Sequence, residues 1–117
     1  MKLYSTALVA GLLLALVGAS GAAAGPAVTH STTVRVKATD FHYMLSVKSV
    51  HHGRVTFVLR NAGHASHNFA IAGHKSKTIA PGRTTRLTVT LKRGRYPYKC
   101  TVDSHAELGM KGVLRVT

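Results

Sequence analysis

The most informative stretch of the chain runs from Tyr96 to Gly112 and reads Tyr-Pro-Tyr-Lys-Cys-Thr-Val-Asp-Ser-His-Ala-Glu-Leu-Gly-Met-Lys-Gly. It holds the only cysteine of the chain, Cys100, followed at equal spacings by His105 and Met110. Thiolate, imidazole and thioether are soft ligands, and a trigonal site of two histidines and a cysteine with a weak axial methionine suits copper in electron transfer. One histidine of such a set is missing here, so another part of the chain must supply it.

The N-terminal residues have the pattern of a secretory signal. Lys2 gives a positive start, residues 7–17 form an apolar run, and small residues follow up to Ala24. We expect cleavage after Ala24, which makes residues 1–24 the signal peptide and residues 25–117 the mature domain. The apolar run is short for a spanning helix and lacks a charged stop on its far side, which favours a cleaved signal over a membrane anchor, so no membrane span is expected after cleavage. The expected location is the periplasm, the cell envelope or the medium.

The cysteine count favours a metal role for Cys100. Removal of residues 1–24 leaves 93 of the 117 residues, enough for one small domain with one core. A single cysteine cannot form an internal disulfide, and a leftover cysteine in an exported protein is intermolecular, reactive or a ligand.

The chain is strongly basic. It has 16 Lys and Arg residues against three acids, and loss of Lys2 leaves the mature domain at +12 with histidines neutral. Such a charge attracts anionic partners in a salt-dependent way. Nucleic acid is not expected, because this exported chain has no recognisable nucleic-acid module. We expect a monomer whose partner is an acidic redox protein or an anionic cell-envelope surface.

Alternating apolar residues predict an all-β fold. Seven runs have the composition or period of strands: residues 28–37, 40–46, 54–60, 68–72, 86–91, 95–100 and 111–117. The residues expected to face the core are Val34, Val36, Val55, Phe57, Leu59, Leu87, Val89, Leu91, Leu114 and Val116, and Tyr96 and Tyr98 are interpreted as core residues rather than redox relays. Turn signals separate the runs, and the mature chain shows no sustained helical periodicity. About eight short strands indicate a single-domain β-sandwich.

The loop between two of these strands offers the missing histidine. It reads Asn61-Ala-Gly-His64-Ala-Ser-His67-Asn68-Phe69 and so contains two candidates, His64 and His67. Three ligands on one short loop cannot close around a metal without a group from elsewhere. A sandwich would bring this loop against the one that carries Cys100.

With these residues in place, the chain resembles the cupredoxins, small blue copper proteins of the plastocyanin and azurin type. The matching pieces, in the family's order, are residues 55–63, His67-Asn68-Phe69, Pro81-Gly82, Tyr96-x-Tyr-x-Cys100, His105 and Gly109-Met110-x-Gly112. The Cys–His spacing is similar to that of azurin, and the spacing through Met110 is closest to that of rusticyanin. Related families often have Pro-Gly before the second histidine, where this chain has Asp103-Ser104.

The resemblance implies a Greek-key β-sandwich with one type 1 copper ion at one end. The implied equatorial ligands are His67, Cys100 and His105, with Met110 as the weak axial ligand. Asn68 is the implied outer residue, which links the ligand loops and supports the cysteine sulfur. His67 is favoured over His64 because it precedes Asn68, Phe69 and the next strand.

The implied function is one-electron transfer between Cu(I) and Cu(II), with electrons passing via the edge of His105, and not an enzymatic reaction. The alternative is a protein that binds, stores or delivers copper outside the cytoplasm, since the same ligands would serve. Multicopper oxidases and copper nitrite reductases use the fold in several copies, for which one domain has no room.

The remaining histidines and the acids carry weaker signals. His51-His52 is interpreted as a solvated turn rather than a second metal site, and His30, His42 and His74 have no partner evident in the sequence. Two of the three acids, Asp103 and Glu107, flank His105. We hypothesise that they weaken the positive field around the metal.

Overall fold

The computed structural model describes residues 30–117 without a gap and, before them, only residues 2, 3, 11, 15, 18 and 21. Apart from those isolated positions, the predicted signal peptide at 1–24 lies outside the described residues, as does its cleavage site. In the part of the chain that is described, no helix has the length and apolar character needed to cross a membrane.

Nine strands make up the domain in residues 30–117. They are β1 (Ser31–Thr39), β2 (His42–Leu45), β3 (Ser49–Val50), β4 (Gly53–Asn61), β5 (Ala70–Ile71), β6 (His74–Lys75), β7 (Thr84–Leu91), β8 (Gly94–Lys99) and β9 (Lys111–Val116). The prediction of an all-β single domain is confirmed. The two-residue strands β3 and β6 were not predicted, because two residues are too few to show an alternating pattern.

The strands form two sheets. One has the order β2-β1-β4-β7 and the other β3-β9-β8-β5-β6. Strands β1 and β4 run parallel, as do β3 and β9, while β4 and β7 are antiparallel. A parallel pair needs a crossover connection, so these pairs join parts of the chain that lie far apart in sequence.

The core lies between the sheets and follows the predicted alternation. Nine of the twelve residues expected inside are buried, and Leu87, Tyr96 and Tyr98 are partly buried against the core. The same core also contains Ala38, Tyr43, Val50, Phe69, Ile71, Cys100 and Met110. Burial of each large apolar side chain contributes about 1.5–3 kcal/mol. Two sheets held together in this way form a rigid base for the loops at their ends.

The two ends of the sandwich carry different residues. Strand β1 ends before Asp40, β4 ends at Asn61, and β9 begins after Met110, so these positions share one end, which we call the ligand pole. The opposite end, which we call the histidine pole, contains His30 and the turn before Gly53. A nine-residue strand such as β1 separates the poles by about 30 Å.

Candidate metal centre

Three of the predicted ligands meet at the ligand pole. Ligand atoms of His67, Cys100 and His105 all lie within 4.8 Å of one another. The Cys100 Sγ is 3.7 Å from His105 Nδ1, and the two imidazole ring centres are 5.0 Å apart. The three residues are 0%, 1% and 7% exposed. The structure therefore gathers a thiol and two imidazoles in a nearly dry site.

Backbone hydrogen bonds shape the loop that carries Cys100, His105 and Met110. The Cys100 N–H donates to the Met110 carbonyl at 3.0 Å, and the Met110 N–H donates to the His105 carbonyl at 3.1 Å. Further bonds join Val102 to His105 and His105 to Leu108. The loop is thus tied across its width without the Pro-Gly pair of related families. The Met110 side chain is fully buried in the core.

Asp40 orients His67. Its Oδ1 lies 2.6 Å from His67 Nε2, and the carboxylate also accepts the backbone N–H groups of His64 at 2.8 Å and Ala65 at 3.1 Å. The backbone N–H of His64 above all, and then the His67 ring, hold the pKa of the Asp40 carboxyl well below its ordinary value. An ionised carboxylate only accepts hydrogen bonds, so His67 Nε2 carries the proton and donates it.

This tautomer leaves the lone pair of His67 on Nδ1. That atom is buried and, among residues 30–117, has no hydrogen-bond partner. A buried polar atom without a partner is costly. Ligating histidines in metal sites usually donate their other ring N–H to a carboxylate, as His67 does to Asp40. The residues therefore fit a metal ion that takes Nδ1 of His67.

Gly63 makes the contact between Asp40 and His67 sterically feasible. A Cβ at position 63 would lie 2.3 Å from Asp40 Oδ1 and 3.0 Å from His67 Nε2. The fully buried Asn61 holds this glycine in place, accepting its N–H at 2.9 Å. The side-chain amide of Asn61 also donates to the carbonyls of Ala65 and Ile79. Asn61 therefore shapes the loop that presents His67.

Asn68 connects the His67 loop to the Cys100 loop. Its Nδ2 donates to Thr101 Oγ1 at 2.7 Å, and the Thr101 N–H donates to Asn68 Oδ1 at 2.8 Å. A longer bond of 3.3 Å runs from Asn68 to Thr78. Within residues 30–117 no hydrogen bond joins Asn68 directly to the Cys100 sulfur, and its side chain reaches the Cys100 loop through the neighbouring Thr101.

Two aromatic residues enclose the group. The Phe41 ring centre lies 4.7 Å from that of His105 and 6.2 Å from that of His67. The second residue, Tyr43, is buried and donates its hydroxyl to the Asn68 carbonyl. Burial first, and then the nearby Cys100, raises the pKa of Tyr43, which keeps its hydroxyl protonated. An apolar enclosure of this kind limits solvent access and tunes a bound metal.

Sequence reasoning did not identify the outer residues Asp40, Phe41 and Tyr43. Residues 40–46 were predicted as one strand, but the strand begins only at His42, and Asp40 and Phe41 form the turn before it. One signal was available, since Asp40 is the only acid outside the Cys100 loop in a very basic chain. His64 lies outside the ligand group, with its exposed ring 3.4 Å from Asp40.

A family model described as the cupredoxin-like domain matches residues 7–116. The chain belongs to this cupredoxin-like family. Cupredoxins bind one type 1 copper ion, and the thiolate and imidazole group of His67, Cys100 and His105 suits that ion. The closer likeness to rusticyanin in loop spacing stays a prediction.

Solved structures share the fold of this cupredoxin. Dithionite-reduced auracyanin from Roseiflexus castenholzii has a TM-score of 0.63 and 21% identity, covering 76% of this chain and 98% of that one. Auracyanin A, a blue copper protein from Chloroflexus aurantiacus, has a TM-score of 0.60 and 18% identity, covering 75% of this chain and all of its own.

The same fold occurs in a larger protein. The blue copper oxidase from Nitrosomonas europaea has a TM-score of 0.60 and 16% identity, but the match covers 74% of this chain and only 39% of the oxidase. The fold alone therefore does not separate a carrier from part of an enzyme. A comparison with curated proteins found no match.

Proposed function

We propose that this cupredoxin is a one-electron carrier with a single type 1 copper ion held by His67, Cys100, His105 and, more weakly, Met110. The observation that carries the proposal is the buried group of three ligand atoms within 4.8 Å. When bound there, copper supplies a Cu(I)/Cu(II) couple. A soft donor set of this composition suits copper in electron transfer.

The protein frame would keep the ligands in nearly the same place in both oxidation states. Asp40 fixes the ring of His67, backbone bonds tie Cys100 to Met110, and Asn68 joins the two loops. A preset geometry lowers the reorganisation that accompanies electron transfer. Because the thiolate and both imidazoles must be deprotonated at the ligating atoms, metal affinity is expected to fall at low pH.

His105 is the proposed route for electrons. It is the most exposed of the three gathered ligands, at 7%. Leu108, in the same loop, is 62% exposed and offers an apolar contact next to it. A redox partner that covers Leu108 would therefore come close to the imidazole edge of His105.

The burial of the ligands also argues against copper handling as the main role. A protein that delivers copper must release it, whereas His67 and Cys100 are enclosed by the core and by Phe41. We expect slow exchange of bound copper and fast electron self-exchange. Fast exchange to a chelator together with slow self-exchange would instead support storage or delivery.

The proposal is tested by adding Cu(II) to the purified protein. We expect one equivalent to give the intense blue thiolate-to-copper charge-transfer band, and Cys100→Ala to give none. Met110→Leu, which removes the thioether but keeps the volume, is expected to stay blue with an altered reduction potential. A colourless wild-type mixture would overturn the proposal.

An acidic redox protein is the proposed partner, and an anionic cell-envelope surface is the alternative. A groove with a volume of about 910 Å³ lies beside the ligand pole, and Tyr98 and Val113 are among the residues that give it an apolar lining. Lys75, Lys99 and Lys111 line it as well, and all three are exposed. Apolar contact surrounded by positive charge matches an acidic protein surface, and steering by such charge weakens with salt.

Export of the mature domain as a monomer is also proposed. The apolar run at 7–17 and the small residues before Gly25 support it. Mass spectrometry of protein recovered from outside the cytoplasm is expected to find a chain that begins at Gly25. A retained residue 1 in that fraction, or a dimer mass in solution, would contradict the respective part of the proposal.

A further inference from the structure

Three histidines that play no part in the copper group gather at the histidine pole. The ring centre of His30 lies 5.7 Å from that of His51 and 6.3 Å from that of His52. All three residues are exposed. The predicted turn at His51-His52 is indeed solvated, but strand pairing places His30 beside it.

The pairing of strands β1 and β4 places His30 next to the turn that precedes Gly53. The parallel pairing of β1 and β4 sets Ser31 against Arg54, and the Arg54 N–H donates to the His30 carbonyl at 3.1 Å. At Gly53, with φ at +128°, a Cβ would lie 2.6 Å from that carbonyl oxygen. The glycine therefore permits the close contact between the start of β1 and the turn.

Thr117 orients the other two rings. His52 Nδ1 lies 3.0 Å from the Thr117 carbonyl, and His51 Nδ1 lies 3.2 Å from the Thr117 hydroxyl. A carbonyl only accepts, so His52 Nδ1 carries the proton and its Nε2 keeps a lone pair. Metal-binding histidines are commonly oriented by a backbone carbonyl in this way. The Thr117 hydroxyl donates to the Val50 carbonyl at 3.3 Å, so it accepts from His51 Nδ1, and both Nε2 atoms keep a lone pair for a ligand.

We propose that His30, His51 and His52 form a second, exposed binding site for a divalent transition-metal ion. With metal–nitrogen bonds of about 2 Å, the ring centres of two imidazoles on one ion lie roughly 5 Å apart. The observed separations of 5.7 and 6.3 Å exceed that value, so the exposed side chains must rotate to bring their nitrogen atoms onto one ion. Imidazole suits zinc, nickel and copper, and Cu(II) binds tightest in this series.

The charges around the three histidines predict how the affinity of this site for a metal ion depends on salt. Asp40, Asp103 and Glu107 all belong to the ligand pole or its loop, whereas Arg54 and Arg115 lie on the strands next to the histidines. Neutral imidazoles would hold the ion within a positive field. Salt screens that repulsion, so affinity is expected to rise with ionic strength in a non-coordinating salt.

The test is a titration of the full protein with Cu(II) after one equivalent has been added. We expect a second equivalent to bind without adding thiolate charge-transfer intensity, and its electron paramagnetic resonance spectrum to show nitrogen ligation. In His30→Ala and in His51→Ala the dissociation constant of this second ion should rise by more than about tenfold. Loss of an outer-shell partner already weakens metal binding by at least that factor, and loss of a ligand should weaken it more. The matched control is His42→Ala, which removes another exposed histidine.

Unchanged binding in His30→Ala and His51→Ala, or an equal loss in His42→Ala, would overturn the proposal. Thermal unfolding without metal checks that each variant folds. Cys100→Ala separates this site from the first, because it abolishes the blue band but should keep the His30-dependent ion. The proposal of a second metal site can therefore be supported or contradicted independently of the proposed electron-carrier function.

Discussion

At the scale of single residues, the metal centre depends on a carboxylate outside the ligand set. Asp40 accepts three N–H groups from the loop that carries His67 and fixes which ring nitrogen is free. Gly63 is small enough to let the two side chains meet. The ligand and its outer partner thus form one unit, in which the partner determines how the ligand presents its lone pair.

Replacing Asp40 by Asn is expected to weaken copper binding by about 10–100-fold, the usual cost of losing an outer-shell partner. The amide can accept from His67 with its oxygen, but it lacks the charge that favours the Nε2–H tautomer. Competition with a copper chelator at neutral pH measures the change. Asp103→Asn removes the same charge from the ligand loop without touching His67, and an equal effect in both variants would contradict the role of Asp40.

At the scale of elements, two loops from different sheets have to be held in register. The His67 loop follows β4 in one sheet, and the Cys100 loop connects β8 and β9 in the other. Asn68, which is 2% exposed, bridges them with two short hydrogen bonds to Thr101. Backbone bonds tie the second loop internally. The site is therefore assembled at a junction between the two sheets.

Asn68→Ala is expected to lower the free energy of unfolding of the metal-free protein by about 1–3 kcal/mol, because it leaves the Thr101 N–H and hydroxyl without their partner. Urea unfolding measures this. Thr78→Ala removes only the longer bond of Asn68, at 3.3 Å, and should cost clearly less. Equal costs would show that the bridge to Thr101 is not the main contribution of Asn68.

At the scale of the whole molecule, charge and ligands are distributed unevenly between the poles. The three acids are Asp40, beside His67, and Asp103 and Glu107, in the Cys100 loop, while cationic residues occur along the whole domain. Lys99 and Lys111 face each other across the β8–β9 pair, next to the proposed copper ligands Cys100 and Met110. An anionic partner would therefore be drawn to the domain as a whole and positioned locally by these lysines.

Reversing these two charges in the double variant Lys99→Glu and Lys111→Glu is expected to slow electron transfer from the reduced protein to hexacyanoferrate(III) roughly tenfold at low salt. The matched control, Lys92→Glu with Arg93→Glu, makes the same change of net charge at the turn between β7 and β8, far from the ligands. Stopped-flow rates at two ionic strengths measure the electrostatic attraction between protein and oxidant, since salt weakens it. The reduction potential of each variant shows whether the driving force for electron transfer has changed. Equal slowing in both would assign the effect to net charge alone.

The strands, the core and the ligand types could be predicted from short-range patterns. Alternation identified the inward residues of β4 and β7, and the spacing of Cys100, His105 and Met110 identified the metal loop. Each of these signals is contained within a few consecutive residues, because a strand repeats every second residue. The resemblance of several such pieces in order then indicated the family and the second histidine, His67.

The outer contacts of the site and the histidine pole were decided only by tertiary structure. Asp40 meets His67, and His30 meets His51, because β1 pairs in parallel with β4 and brings both ends of β1 against the loops that flank β4. A parallel register joins residues separated by a long crossover, and no local pattern encodes which side chains then face each other. The sequence alone determined which residues could bind a metal, and the pairing of β1 with β4 determined which partners orient them.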